Sequence, residues 1–388
     1  MNKTIIHFSQ DFSSGKPQLG GYGRILNLTK DGNKHIIFTT SKNDEIKFDK
    51  IVNDNTTIIQ LPVSIKKGNL FQKIKDVNIV SNQMFYYLKK YNLKFDLLFG
   101  HSQIINFFIL LKLKKKYFSK LKIIWEFNAI WSAIDVKGIK NRLVKLLFIF
   151  FENRIVRLAD ILVVQTEKSA KEIKRKFNVK NKSIIIIPNA IDKELVTEKS
   201  SNKNNNRNYL ILINGLFDEM NGLNFLYNFF TNNKLLSGFE FHFYGKGPFE
   251  KKIEEISDDK NIFYHGVVRR EKMIEKLKTF DFILIPRLNS SEAKLFTPSK
   301  LIEAMAFGLV PIVSNVGGMN ELVNNSNGFV LKSTKDKDLN DVLIAIKNID
   351  KNKLKKMSTE SKKLILENYT WFQNHQKLDE IYQSLVSC

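Results

Sequence analysis

Two α/β domains, each a parallel sheet covered by helices, are what three features of this sequence predict. Short runs of β-branched and aromatic residues alternate with helical patterns, and that alternation occurs twice, on either side of a polar stretch rich in Asn. The chain of 388 residues also exceeds the size at which one hydrophobic core usually stops growing.

The first series opens with an apolar strand over 5–8, a polar loop through Gly20-Gly21-Tyr22-Gly23, a helix over 24–30 and a β-rich run over 35–40, which together make a βαβ unit. Further strands are expected at 96–99, 122–125, 161–164 and 183–187. Residues 197–208 cannot bury a face and predict a linker between an N-terminal domain over 1–196 and a C-terminal domain over 209–371. In the second series strands are expected at 209–214, 240–244, 261–264, 282–286, 310–314 and 328–331. Residues 339–385 read as helical with a break at 367–371, the last helix, 372–388, rejoining the N-terminal domain. Two such domains leave a cleft at the carboxyl ends of both sheets, where ligands of open α/β folds bind.

A formal net charge of +23 must attract something anionic, whether nucleic acid, acidic lipid head groups or a phosphorylated substrate. Lys far outnumbers Arg, and Asn and Ile are abundant, a composition that AT-rich coding bias explains as readily as function does. The single cysteine, Cys388, excludes an intramolecular disulfide framework and fits a reducing compartment. The first ten residues lack the apolar core of a signal peptide, and no stretch approaches the roughly 20 apolar residues of a membrane span. A cytoplasmic location is expected, soluble or peripheral on the inner face of the cell membrane.

The most informative stretch runs Phe296-Thr297-Pro298-Ser299-Lys300-Leu301-Ile302-Glu303-Ala304-Met305-Ala306-Phe307-Gly308-Leu309-Val310-Pro311. Thr297-Pro298-Ser299 reads as a cap with Pro in the first turn of a helix whose free N–H groups suit a diphosphate. Glu303 falls about one turn inside, where a carboxylate can accept hydrogen bonds from a ribose diol. Gly308 and Pro311 then end the helix and feed the next strand.

This run resembles the nucleotide-sugar site of the retaining GT-B glycosyltransferases of family 4, the group 1 glycosyl transferases, marked by Glu-Ala-Met-Ala-x-Gly-x-Pro-Val. The resemblance extends to Pro188-Asn189-Ala190-Ile191-Asp192, Tyr244-Gly245-Lys246-Gly247-Pro248, Gly317-Gly318-Met319-Asn320-Glu321-Leu322-Val323 and Asn327-Gly328-Phe329-Val330. It implies two Rossmann-like domains whose parallel sheets face a central cleft. It also implies transfer of a hexose-type sugar from a UDP- or GDP-sugar to a glycan or lipid-linked acceptor with retention, in bacterial surface polysaccharide or glycolipid assembly.

By that resemblance Glu303 should bind the nucleotide ribose, the Gly20-Gly21 loop should let backbone approach the donor phosphates, and His101, after a predicted strand, should face the donor sugar. Glu126, at the end of the following strand, is a second cleft candidate, aimed at the acceptor. The resemblance implies no separate catalytic base, since the leaving phosphate helps take the acceptor proton. Taken alone, each residue has a plainer role: paired glycines make turns, a helical Glu is solvated, and a His after a strand is structural.

Departures from the pattern matter as well. The loop Gly215-Leu216-Phe217-Asp218-Glu219-Met220-Asn221-Gly222 lacks the Arg and Lys with which the family neutralises the diphosphate. The family's first Glu, eight residues before Glu303, is Leu295 here, and Glu292 lies three residues too early. The Thr-Pro-Ser-Lys form resembles a variant with Pro-x-Lys in this loop, so Lys300, with Arg287 after the preceding strand, is expected to supply the missing charge. Gly215, Thr297, Pro298 and Ser299 complete the expected donor site. No metal or other cofactor is expected, because no Asp-x-Asp flanked by apolar residues and no His/Cys cluster is present.

Residues 137–158 mix Lys140, Arg142, Lys145, Arg154 and Arg157 with an apolar arc. Val144, Leu147, Phe148, Phe151, Ile155 and Leu158 form the stripe a core needs, and Leu143, Leu146 and Phe150 widen it. Such a helix, helped by Lys112-Leu113-Lys114-Lys115-Lys116, suits an anionic membrane surface, although a helix packed on both sides within the domain explains it too. Two rival readings stand beside the enzyme: a non-catalytic GT-B scaffold, favoured by the missing cations, and a nucleic-acid binder, for which charge speaks but no recognition motif does.

Overall fold

The computed structural model describes residues 2–9, 21–40, 48–53, 55–63, 65, 70–101, 103–133, 139–196, 208–233, 237–257, 261–291 and 293–386. Its contacts divide the chain into two compact units, Met1–Ile187 with Phe372–Cys388, and Pro188–Trp371.

The first unit runs β1 (Thr4–Phe8), α1 (Gly21–Leu28), β2 (Lys34–Thr40), β3 (Phe48–Asn53), β4 (Thr56–Leu61), α2 (Leu70–Lys90), β5 (Leu97–His101), α3 (Ile104–Tyr117), β6 (Lys122–Glu126), α4 (Ile139–Leu158), β7 (Ile161–Val164), α5 (Glu167–Phe177) and β8 (Ile184–Ile186). Its eight strands lie in the order β3-β4-β2-β1-β5-β6-β7-β8, parallel except for β3, which pairs antiparallel with β4. Central strands such as Ile5-Ile6-His7-Phe8 and Leu97-Leu98-Phe99 are buried throughout, because helices cover both faces of a parallel sheet. Local chemistry sets the helix ends: Thr166 accepts from Ser169 N to open α5, and Asn178, with φ +51°, closes it in the left-handed conformation.

The second unit continues with β9 (Tyr209–Leu216), α6 (Leu223–Asn232), β10 (Phe239–Lys246), α7 (Glu250–Ile256), β11 (Ile262–Tyr264), α8 (Arg270–Leu277), β12 (Phe282–Ile285), α9 (Ser299–Ala306), β13 (Val310–Ser314), α10 (Met319–Leu322), β14 (Phe329–Leu331), α11 (Asp336–Lys347) and α12 (Lys351–Asn368). Its six strands are all parallel, in the order β11-β10-β9-β12-β13-β14. Two apolar layers sandwich this sheet, one built on Ile283, Leu301, Met305 and Val313, the other on Phe229, Phe241, Phe282 and Leu343. The last helix, α13 (Trp371–Val386), packs on the first unit from Phe372 onward, where Asn33 Nδ2 donates to Asp379 Oδ1 at 2.6 Å.

The alternation of strand and helix predicted from sequence is present in both units. Three details differ. The antiparallel edge formed by β3 and β4 was not foreseen. The C-terminal helical segment breaks once more, at 348–350, where Asp350 accepts from Asn352 N and Lys353 N to start α12. Residues 188–196 group with the second unit, with Ile191 N donating to Tyr369 O at 3.0 Å and Trp371 N to Ile191 O at 3.1 Å. The expected linker lies, from 197 to 207, outside the described residues.

Candidate functional site

In the second unit three elements converge at the carboxyl end of β9. Gly215 has φ +117°, and a Cβ there would stand 3.2 Å from Lys300 Nζ, so the missing side chain is what admits the lysine head. Lys300 is the second residue of α9, and its Nζ donates to Asn214 O at 2.7 Å. On the neighbouring strand Gly245 pairs with Gly215, and a Cβ at Gly245 would lie 1.9 Å from Gly215 O, so this pair of positions has to be free of side chains.

The loop after β9 closes by Asn221 N donating to Asp218 Oδ1 at 2.8 Å, and Gly222, at φ +77°, presses against Pro286 O. That contact carries Met220 to the end of β12, where Leu288 N donates to Met220 O at 3.0 Å. Arg287 is buried there. Its Nη1 donates to Phe296 O at 3.3 Å, its Nη2 approaches Met220 Sδ at 3.7 Å, and its carbonyl accepts from Ser314 Oγ at 2.6 Å.

The result is a paired positive charge at a glycine-lined strand end. Burial first, and then the neighbouring Arg287 guanidinium, push the Lys300 ammonium down to about 8, with Asp218 opposing. An arriving anion would relieve both penalties. Glu303, partly buried one turn further along α9, pairs with Arg270 Nη2 at 3.0 Å. Burial pushes its carboxyl up, with Arg270 opposing.

Thr297, Pro298 and Ser299 precede and open α9 in a different manner from the cap expected. Pro298 itself is the N-cap residue, at φ −67° and ψ 131°, and no side chain caps the helix. The Thr297 carbonyl is held instead by Asn189 Nδ2 at 3.0 Å. Ser299 is the exposed first residue of α9. Asn327 has a structural task, since its Nδ2 donates to Leu322 O and its Oδ1 accepts from Asn324 N. Gly20 and Glu292 lie outside the described residues, and Gly21 is the first residue of α1.

In the first unit His101 and Glu126 are the last residues of β5 and β6, adjacent in register, and neither has any exposed surface. His101 had been expected just after its strand and Glu126 at the end of its own, both facing ligands. Instead His101 Nδ1 lies 2.8 Å from Glu126 Oε2, and Glu126 Oε1 accepts from Arg24 Nε at 2.6 Å. Arg24 in turn donates through Nη2 to Ile187 O at 2.6 Å. Burial alone would raise the Glu126 carboxyl, but Arg24 and His101 hold it down at about 2.

The chain of contacts runs on through residues that the sequence did not single out. His101 Nε2 is 2.8 Å from His7 Nδ1, His7 Nε2 is 2.8 Å from His35 Nδ1, and His35 Nε2 is 2.7 Å from Asp31 Oδ1. The available signal was a histidine inside the apolar run Ile5-Ile6-His7-Phe8, since a polar group on a fully buried strand must find a partner.

A third feature is an apolar groove of about 1210 Å³ between α2, α3 and α4, lined by Ile74, Phe108, Leu147, Phe148, Phe150 and Phe151 with Lys73, Lys112, Lys115 and Lys116 beside them. Among the described side chains of α4 the buried ones are Glu152, Ile155 and Val156, in its C-terminal turns. Leu143, Leu146, Leu147 and Phe150 are each more than half exposed, and Val144 and Leu158 are exposed as well. The core stripe expected from the sequence is therefore shorter than the pattern suggested.

Among the described residues no helix is long and apolar enough to cross a membrane, and no three His, Cys, Asp or Glu side chains are grouped to hold a metal ion.

Two family models match, one described as glycosyl transferases group 1 over residues 196–364 and one as glycosyltransferase family 4 over residues 25–195. No curated protein sequence matches the chain. Solved structures do. They include a sucrose-phosphate synthase from Thermosynechococcus elongatus (13% identity, all of both chains, TM-score 0.81) and the catalytic domain of starch synthase IV from Arabidopsis thaliana bound to ADP and acarbose (13%, all of both chains, 0.72). A trehalose-6-phosphate synthase studied for glycosyl transfer with retention also matches (12%, 98% of this chain and 99% of that one, 0.73). At such identities the likeness is one of fold.

Proposed function

The chain belongs to the group 1, family 4 glycosyltransferases of the GT-B fold, and on that premise we propose that it moves a hexose from a UDP- or GDP-sugar onto a glycan or lipid-linked acceptor with retention of configuration. Assembly of bacterial surface polysaccharide or glycolipid is the role this reading assigns. The observation that carries it is Lys300, held at Gly215 with the Arg287 charge acting on it, in a chain whose loop after β9 lacks the Arg and Lys of the family pattern.

Breaking the bond from the anomeric carbon to the diphosphate leaves negative charge on the departing oxygen. Lys300 and Arg287 are placed to stabilise it, and the first turn of α9 adds N–H groups. In front-face transfer the acceptor oxygen bonds the anomeric carbon as the diphosphate leaves, and the acceptor proton passes to the leaving phosphate oxygen. With two cations at that position the reaction needs no metal. Glu303 accepts hydrogen bonds from the ribose, and its displaced partner Arg270 stays within reach of a phosphate or base. His101 and Glu126 act behind the surface, as positioning groups. Retention draws support from the trehalose-6-phosphate synthase whose transfer is described in those terms, and nucleotide recognition from the ADP-bound starch synthase.

The same reading places the protein on the inner face of the cell membrane. The exposed apolar turns of α4 and the lysine-flanked groove beside α2 and α3 offer hydrocarbon contact and positive charge together, the combination that anionic bilayers attract.

Thermal stability measured against UDP, GDP, ADP and CMP and their common sugars, with and without EDTA, tests the donor reading. One nucleoside diphosphate at a hundredfold its Kd should stabilise the protein by about 2.7 kcal/mol. That gain should survive EDTA and shrink to roughly 0.3–1.7 kcal/mol in Lys300→Ala and Glu303→Ala at the same ligand concentration. No shift with any nucleotide, from folded protein, would leave a GT-B scaffold without a transferase role.

A further inference from the structure

We infer that the buried chain Asp31–His35–His7–His101–Glu126 holds one proton more than three neutral imidazoles can carry, and that the extra proton rests on His35. The argument is a count. The chain has four gaps of 2.7–2.8 Å: Asp31 to His35, His35 to His7, His7 to His101, and His101 to Glu126. Each gap at that distance needs one proton between its two heavy atoms. Ionised carboxylates bring none, and a neutral imidazole brings one.

Both ends are carboxylates held in the ionised form, Glu126 by Arg24 and His101, Asp31 by its bond to His35, in each case against burial. Three neutral rings would therefore fill three gaps and leave the fourth with two acceptors face to face. The side chains of His7, His35, His101 and Glu126 are fully buried, so no bulk water relieves that contact. A fourth proton removes it. It also sets the charge of the group to zero, with two carboxylates balanced by Arg24 and one imidazolium, whereas its absence would leave a net negative charge buried.

Placement follows from the two ends. Arg24 already neutralises Glu126 at 2.6 Å and would repel a cation on His101. Asp31 has its ion pair with His35, and its Oδ2 is buried without a hydrogen-bond partner. Among the described residues, the other groups that face this end come from α13. Asp379 is engaged by Asn33, the Nε2 of His375 lies 2.8 Å from Asn27 O, and the Tyr382 hydroxyl stays neutral because burial and the nearby carboxylates push it well up. His7, in the middle, is driven well below the ordinary histidine range by burial and by its two neighbours, so the cation does not sit there.

With His35 as the imidazolium, His7 donates from Nδ1 to His101 Nε2, and His101 donates from Nδ1 to Glu126. Asp31, His35 and His7 are thus positioning residues. They fix the tautomer of His101 at the carboxyl end of β5 while keeping the extra charge at the opposite end of β1 and β2. Shifting one proton in each of two gaps, from His35 to His7 and from His7 to His101, would carry that charge to the Glu126 end.

The test is nitrogen NMR of the full chain labelled in its histidines, at pH 8, above the ordinary imidazole pKa of about 6.5. Variants His242→Asn, His265→Asn and His375→Asn assign the other three rings by elimination. The three buried rings should show four ring N–H groups, both nitrogens of His35 among them. Three N–H groups, or a doubly protonated His101, overturns the inference. A second variant, Asp31→Ala, removes the oxygen that accepts from both Asn33 N and His35 Nε2, so the first gap no longer holds a proton and the count should drop to three. A count of four in that variant would equally refute it, and should Asp31→Ala not fold, the wild-type count decides.

Discussion

If Lys300 holds the donor diphosphate as proposed, nucleotide binding has a pH dependence that can be worked out in advance. Its ammonium is pushed down to about 8 by burial and by Arg287. A bound diphosphate restores it toward or beyond the ordinary 10.4 or so, because the anion offsets both penalties. Free protein is then about nine-tenths protonated at Lys300 at pH 7 and about one-tenth at pH 9. Affinity for a nucleoside diphosphate should fall about tenfold across that interval, or about 1.4 kcal/mol. The ligand contributes little, since its last phosphate ionisation lies near 6. Isothermal titration of the matching nucleotide at pH 7, 8 and 9 reads this directly. Lys300→Met should bind roughly 10- to 150-fold more weakly at pH 7, the worth of a charged hydrogen bond, and should lose the slope. The unliganded protein shows the opposite sign. A lysine whose folded pKa is depressed costs stability while both states are protonated, and the cost is relieved as pH rises from 8 toward the unfolded value. Lys300→Met should therefore gain about 2 kcal/mol at pH 7, less by pH 10. Wild-type affinity that is flat from pH 7 to 9 would refute the assignment of Lys300 to the diphosphate.

Four further outcomes are expected. Glu303→Ala should weaken nucleoside diphosphate binding by about 1–3 kcal/mol while leaving inorganic pyrophosphate nearly untouched, measured by competition. Glu126→Gln should lower stability in urea unfolding by about 3 kcal/mol at pH 7, because the folded carboxyl sits at about 2. Its folded pKa is depressed, so that contribution is present above the unfolded value and should shrink as pH falls from 4.5 toward 2. Gly222→Ala forces a Cβ to within 2.0 Å of Pro286 O at φ +77° and should cost at least about 2 kcal/mol, with loss of donor binding as the Arg287 anchorage shifts. Leu146→Asp with Phe150→Asp should abolish co-sedimentation with vesicles containing anionic phospholipid and leave nucleotide binding unchanged; equal sedimentation of both proteins would remove the membrane reading.

The parts that could be read from sequence are those whose cause is local. Central strands of a parallel sheet are apolar on both faces, so runs such as Phe282-Ile283-Leu284-Ile285 declare themselves. The strand β3 does not, because Asp49, Lys50 and Asn53 interrupt it, as an antiparallel edge permits. Around α9 the residue types were legible from the motif, and Lys300 with them. The approach of Lys300 to Asn214, 86 residues away, was not. The histidine chain was hidden more deeply. Its members come from β1, the turn before β2, β2, β5 and β6, and pairing across 94, 28 and 25 residues leaves no periodic trace. His101 was picked out by the resemblance and its place after a strand, and Glu126 by its strand end, which locates a residue along the sheet but says nothing about which ring nitrogen is already engaged.

The return of α13 to the first unit has a consequence for synthesis. The first unit lacks its closing helix until the ribosome has made the whole of Pro188–Trp371. At about 5–20 residues per second, roughly 200 further residues take about 10–40 s. Through that interval the surface awaiting Leu378, Ile381 and Tyr382, all buried in the finished protein, stays uncovered. The second unit, contiguous in sequence, can finish while the first waits, so the order of completion on the ribosome is the reverse of the order of appearance.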